Sequence, residues 1–250
     1  MLSHPDLPLL RQMAGAVSQV LTAAPPGSFG DELRMGADGT PTKHVDEIAE
    51  KAILELLPAG LDVVSEEAGA IDHGGERVLV VDPVDGTTNA VRGIPFYCVS
   101  LAIGKRTLAD VEVGLVLNLC TGDIYEGARG EGATRNGRPV RVRPQGKQRV
   151  VATSSMRPEE TPSRAVLRSF GASALEMALV GAGALDGYHH AKPILRVIDV
   201  AAATLIVREA GGVVLDDKGG DLDLPLTLEP RFELTAAATR ELALELRGAS

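Results

Sequence analysis

Val78-Leu79-Val80-Val81 runs straight into Asp82-Pro83-Val84-Asp85-Gly86-Thr87-Thr88-Asn89. The unbroken apolar run predicts a buried strand, and in open α/β sheets ligands gather beyond the carboxyl ends of such strands. Asp82 and Asp85 therefore stand where a bare charge is costly, so each must be paired or hold a metal. The Gly-Thr-Thr-Asn that follows provides a tight turn and backbone N–H groups suited to an anion. Carboxylates, a cation and an anion site together point to metal-assisted chemistry on a phosphate.

The chain around this loop has 250 residues, enough for a large core built as one compact unit of two halves, expected at 1–149 and 150–250. Its formal charge of −9 argues against a nucleic-acid partner, which wants a basic face. The absence of Trp and an aromatic content of 3% leave little to stack on bases. Cys98 and Cys120 lack metal-motif spacing, lie in apolar stretches and read as buried free thiols, which suits a reducing cytoplasm. There is no basic, apolar leader and no apolar run near ~20 residues, so no membrane partner is expected.

Periodicity organises the rest. Leu7 to Leu21 reads as a helix stopped by Pro25-Pro26-Gly27. Asp38-Gly39-Thr40-Pro41 reads as a turn leading into a helix, with Thr40 as N-cap and Pro41 in the first helical position. Val45, Ile48, Ala49, Ala52, Ile53, Leu56 and Leu57 then share one helical face, with Asp46 adjoining it. Leu61–Ser65 reads as a strand ending at Glu66-Glu67. From Tyr97 to Val142 consecutive strands are expected, closing with a hairpin at Asn136-Gly137. After the basic link Arg141–Arg149 come a strand Val150–Thr153, helix-like Pro162–Ser169 and Ser173–Val180, and a strand near Leu185–Tyr188. Asp199 opens a helix that is apolar almost all round, Val200–Ala210, closed by Gly211-Gly212. Two short strands and a last helix, Thr239–Leu246, complete an α/β (α+β) pattern of stacked layers.

Asp46, Glu66, Asp82, Asp85 and Asp199 each sit at the start or end of an apolar element. Oxygen ligands of this kind select hard cations, Mg²⁺ first and Mn²⁺ second. His189-His190 are neighbours in an expected strand, point to opposite faces and do not make a zinc site. Asp199, flanked by Val197-Ile198 and Val200, is expected to be buried in a first helical turn, where the helix dipole keeps it ionised. It can act there as N-cap, ligand or both. Taken singly, Glu66-Glu67 is an ordinary solvated pair and Asp46 an ordinary first-turn acid; the central loop is what lifts them.

These residues resemble the inositol monophosphatase superfamily of Mg²⁺-dependent, lithium-sensitive sugar phosphatases. Asp82 to Asn89 matches its D-P-[ILV]-D-G-T-x-N motif completely. Glu66-Glu67 matches its upstream acidic pair, and Asp199 with Glu209-Ala210-Gly211-Gly212 matches its late motif. Ile198 stands where many members have Trp, and Val200-Ala201-Ala202 replaces the usual V-A-G. Gly36–Lys43 looks like the archaeal-type branch, associated with fructose-1,6-bisphosphatase and inositol-1-phosphatase activity.

The resemblance implies an α-β-α-β-α sandwich, usually dimeric. By matching position, Glu66, Asp82 and the Val84 carbonyl would hold one Mg²⁺, and Asp82, Asp85 and Asp199 a second. A third, weaker ion would lie near Asp46 and Glu66. Thr87, backed by Asp46, would orient the attacking water, while Gly86 and Thr87 N–H groups grip the phosphoryl oxygens. Asp85 is implied to touch the substrate as well, and Arg168, Ser173 and Lys192 are candidates for the sugar pocket, with Arg157, Arg164 and Arg196 as weaker ones. A sugar or polyol phosphate is the expected partner. A nucleotide phosphatase and a silent metal-binding dimer are the rival readings.

Overall fold

The computed structural model describes residues 2–25, 27–35, 41–143, 148–154 and 165–248. Helix α1 (Leu7–Ala23) and helix α2 (His44–Leu54) lie on one face of an eight-stranded sheet. That sheet contains β3 (Asp62–Ser65), β4 (Gly69–Ile71), β5 (Val78–Asp85), β6 (Cys98–Gly104), β7 (Val113–Asn118), β8 (Ile124–Ala128), β9 (Gly132–Arg135) and β10 (Arg138–Val140). Its order is β10-β9-β8-β7-β6-β5-β3-β4. Leu79 and Val81 pack with Leu10, Met13 and Ile53 on the helical face. Val78 and Val80 join the opposite core, with Leu175, Ile206 and Tyr188. The unbroken apolar run is thus the signature of a strand covered on both sides.

On that second face lie α4 (Ser173–Gly181) and α5 (Ala201–Glu209). They are sandwiched against a five-stranded sheet of order β12-β11-β13-β15-β14. Its strands are β11 (Arg149–Thr153), β12 (Ala165–Arg168), β13 (Gly187–Leu195), β14 (Val213–Leu215) and β15 (Phe232–Ala237). Helix α6 (Arg240–Gly248) closes the far side, burying Leu242, Ala243 and Leu246 against Val151 and Leu215. The expected α-β-α-β-α layering is what the chain adopts. Helix α5 approaches the large sheet so closely that a Cβ on Gly114 would stand 2.9 Å from Ala202 Cα. A small pair at this crossing seats the helix that follows Asp199.

Several local expectations are corrected. Pro41 lies in a short strand, β2 (Pro41–Lys43), paired with β1 (Glu32–Met35), and α2 begins only at His44. Ladder pairing overrides the N1 preference of proline; the rest of that turn, 36–40, lies outside the described residues. Helix α2 ends at Leu54, and Leu56 and Leu57 continue as tight turns ahead of Pro58, as the residue before a proline disfavours helix. The helix-like reading of Pro162–Ser169 fails over its described part. Ala165–Arg168 is an edge strand parallel to β11, so sheet pairing wins over local pattern; residues 162–164 are outside the description. Cys98 is a buried free thiol on β6, whereas Cys120 is partly exposed in the turn after β7.

Candidate active site

Strands β3 and β5 run parallel, with Ser65 opposite Val81, so Glu66, just past the end of β3, and Asp82 lie side by side. On its other edge β5 pairs with β6 through Asp82–Ser100, then shifts register before Asp85–Cys98. That bulge, built of Pro83 and Val84, re-aims the strand end. Gly86 follows with φ of 94°, a conformation that favours glycine, and a Cβ there would crowd Ala172, Phe96 and Tyr97 at 3.2 Å. Helix α3 (Thr87–Arg92) starts at once.

Each acid has a distinct environment. Asp82 is 2% exposed, and its Oδ1 is a buried oxygen with no hydrogen-bond partner among the described residues. Burial, then the charges of Glu66, Asp85 and Asp199, push its carboxyl well above the usual range. Asp85 accepts the N–H groups of Ser173 (3.1 Å) and Ala174 (2.6 Å), capping α4. Burial and then Asp199 still raise it to about 8. Asp46, on the first turn of α2, is 3% exposed and is lifted to about 8 by burial and then by Glu66, against the opposing Thr87 hydrogen bond. Crowding of acids at this level is what a cation would relieve. An orphaned buried carboxylate oxygen and an all-oxygen donor set both fit a hard divalent cation.

Thr87 Oγ1 lies 3.0 Å from Asp46 Oδ1 and 3.0 Å from the Val84 carbonyl. A hydroxyl has one proton, so it donates to only one of these at a time. Asp199 is nearly buried but does not lie in a helical turn: the N-cap of α5 is Val200, and the helix begins at Ala201. Its carboxylate instead turns back on Arg196, accepting the backbone N–H at 2.8 Å on Oδ2 and the guanidinium on Oδ1. The expected helix cap is thereby corrected. A short turn places the acid just before the helix, where Arg196 is its hydrogen-bond partner.

Arg196 also reaches Glu66, with Nη2 2.8 Å from Oε1. Burial opposes its charge, but Asp199, Glu66 and Asp82 outweigh that and hold the guanidinium firmly protonated. Glu67, the other half of the acidic pair, is buried and accepts the Thr42 hydroxyl, a structural bond. Asn89 is a brace. Its Nδ2 donates to the carbonyls of Phe96 and Phe170, both at 2.7 Å, tying the segment before β6 to the segment before α4.

Beside the acids opens a cavity of about 420 Å³ lined by Glu66, Ser173, His190, Ile194, Leu195, Arg196, Asp199 and Arg231. Ser173 was expected there, and its Oγ is 2.8 Å from the Tyr188 hydroxyl. Arg168 and Lys192 are exposed and do not line it; Arg168 bonds its neighbour's carbonyl at the sheet edge. Arg157 and Arg164 lie outside the described residues. The cavity's basic groups are instead Arg196, named from sequence only as a weak candidate, and Arg231, which sequence gave no reason to single out: its place follows from tertiary folding. The His190 ring sets Nδ1 against the Lys192 carbonyl at 3.0 Å. His189 sets its Nδ1 2.8 Å from the Thr235 hydroxyl on the neighbouring strand.

The sequence model of the inositol monophosphatase family matches residues 5–248. A fructose-1,6-bisphosphatase/inositol-1-monophosphatase from Methanothermobacter thermautotrophicus is 37% identical, over 85% of this chain and 84% of its own. A bifunctional NADP phosphatase/NAD kinase from Methanococcus maripaludis is 32% identical over 81% of this chain, which spans 41% of that longer protein. The solved structure of the MJ0109 gene product, an inositol monophosphatase–fructose 1,6-bisphosphatase, superimposes with a TM-score of 0.89 at 28% identity, covering 99% of this chain and all of the other. Acid loop, layered fold and near end-to-end match agree: the chain belongs to the inositol monophosphatase family.

Proposed function

We propose that this protein is a Mg²⁺-dependent phosphomonoesterase hydrolysing fructose 1,6-bisphosphate, inositol 1-phosphate or both, working in the cytoplasm as a homodimer. One observation carries the reading: at the carboxyl ends of β3 and β5 the charges of Glu66, Asp85 and Asp199 all bear on the buried Asp82, beside a cavity that also presents Ser173, Arg196 and Arg231. Two Mg²⁺ ions, with a third weaker one near Asp46 and Glu66, would be held by Glu66, Asp82, the Val84 carbonyl, Asp85 and Asp199. Mn²⁺ would substitute. When bound, the metal supplies charge neutralisation and an acidified water.

The chain's own residues do the rest. Thr87, touching both Asp46 and Val84, orients the attacking water and passes its proton toward Asp46. The Gly86–Thr87 turn faces the phosphoryl oxygens. Ser173 and the cavity arginines take the remainder of the substrate; Arg168 and Lys192, exposed outside the lining, would act only at its outer margin. Among the described residues no Phe, Tyr or Trp lines the cavity and His190 is the one ring there, which supports a sugar over a stacked nucleotide. The test is phosphate release, in Mg²⁺ and in EDTA, from fructose 1,6-bisphosphate, inositol 1-phosphate, phosphoadenosine phosphate and NADP. A metal-dependent preference for the first two is expected. A strong preference for the nucleotides would reject the sugar assignment, and release unaffected by EDTA would reject the metal.

A further inference from the structure

As the side chains stand, no three acidic, histidine or cysteine groups among the described residues converge in metal-ligand geometry. Two of the acids are already engaged by one cation. Arg196 Nη2 sits 2.8 Å from Glu66 Oε1 and 3.0 Å from Asp199 Oδ1, with Nε 3.2 Å from the same Asp199 oxygen. One guanidinium therefore bridges the end of β3 and the turn before α5, elements brought together only by the fold. The side chains of Arg196 and Glu66 are each 15% exposed, so water screens the contact poorly.

A guanidinium is a planar, permanently charged fork matched to carboxylates. A divalent cation wants the same oxygens and is repelled by a positive charge beside it. We propose that Arg196 is a built-in counter-cation. It holds Glu66 and Asp199 together in the metal-free protein, competes with the divalent cation for them, and releases at least one of them when metal binds. The released guanidinium stays on the cavity wall with Ser173 and Arg231, where an incoming phosphoryl group is its natural partner. Metal and anion binding are then coupled, each raising the affinity for the other by the same factor. This rests on the metal-site reading above.

Calorimetric titration of Mg²⁺ or Mn²⁺ into the metal-stripped protein, with and without inorganic phosphate, tests it without turnover. In Arg196→Gln, which keeps a donor but loses the charge, metal should bind roughly tenfold tighter, the scale on which one neighbouring unit charge acts, and the benefit of phosphate should shrink. Arg196→Lys, which keeps the charge, should stay close to wild type. Unchanged or weaker metal binding in Arg196→Gln would overturn the proposal and leave Arg196 a residue that merely orients Asp199. Should Arg196→Gln fail to fold, wild type decides: phosphate must strengthen metal binding, and no effect rejects the coupling. Metal binding to wild type without tightening in the variant defeats this proposal alone. No metal binding to wild type at all, with phosphate release indifferent to EDTA, defeats the metal-site reading and this proposal with it.

Discussion

Asp85 Oδ2 lies 2.6 Å from the backbone nitrogen of Ala174, so the acid loop at the end of β5 caps α4. The same carboxylate is expected to hold metal and to fasten α4. Asn89, bonded to the Phe170 carbonyl, makes a second tie a few residues on. The acid loop is therefore at once the candidate site and a fastening for α4 and the segment before it.

Asp85→Asn should abolish turnover while leaving the metal-free fold at least as stable as wild type. The carboxyl is raised to about 8 by burial and then by Asp199, so at neutral pH it is already largely uncharged without metal. An amide oxygen can still accept one of the two α4 N–H groups. Phosphate release in saturating Mg²⁺ should fall by about three orders of magnitude, and melting in EDTA should shift upward or not at all. Near-normal rates would show that Asp85 does not carry the metal.

Metal-free protein should lose stability as pH rises. Asp46 and Asp85 are raised to about 8 and Glu176 to about 7, in each case first by burial. The folded state then binds more protons than the unfolded chain between about pH 4 and pH 8, so stability is full below that window and declines through it. Thermal melts in EDTA from pH 5 to pH 8.5 should show the decline, and Mg²⁺ should flatten it. A melting temperature rising with pH in EDTA would refute the crowded-acid picture.

Thr87→Ala should cut kcat by about 10²- to 10³-fold, within the range for losing one acid–base group, with KM little changed. Thr87→Ser keeps the hydroxyl between Asp46 and Val84 and should recover most of that loss. Steady-state kinetics on both variants checks this; equal loss in Ser and Ala would mean that the threonine methyl, not the hydroxyl, matters.

Arg231→Ala should raise KM for fructose 1,6-bisphosphate by roughly tenfold, the worth of one charge-assisted hydrogen bond. KM for inositol 1-phosphate, which has no second phosphate, should move much less. The guanidinium is exposed on the cavity wall, anchored by the Leu228 and Pro230 carbonyls, and no carboxylate pairs with it among the described residues. Equal shifts for both substrates would place the distal phosphate elsewhere.

Asn89→Ala should act on stability more than on chemistry. It leaves the Phe96 and Phe170 carbonyls without their donor, at about 1–3 kcal/mol for each group left unsatisfied. Urea unfolding should show a lower midpoint with a similar slope, whereas an unchanged midpoint would mean that water replaces both bonds.

Elements with strong local signals were readable in advance. The buried run Val78–Val81, the apolar face of α2 from Val45 to Ile53 and the Asn136-Gly137 hairpin, with φ of 52° and 72°, formed where periodicity and turn chemistry placed them. Segments whose state depends on a partner strand were not readable. Pro41 and Ala165–Arg168 became strands because β1 and β11 lie beside them, a relationship between distant residues that no local window contains.

The same division runs through the site. Sequence alone determined the acids, because Asp82, Asp85 and Asp199 follow apolar runs and a charge in such a place demands a reason. Tertiary structure decided what surrounds them. It set Arg196 across Glu66 and Asp199, put Arg231 on the cavity wall, and left Arg168 and Lys192 in solvent. Local sequence fixes the chemistry a residue can offer and its burial along one element. Which charges meet across elements follows from how the layers stack, and so the acids could be picked out in the sequence while the groups lining the cavity beside them could not.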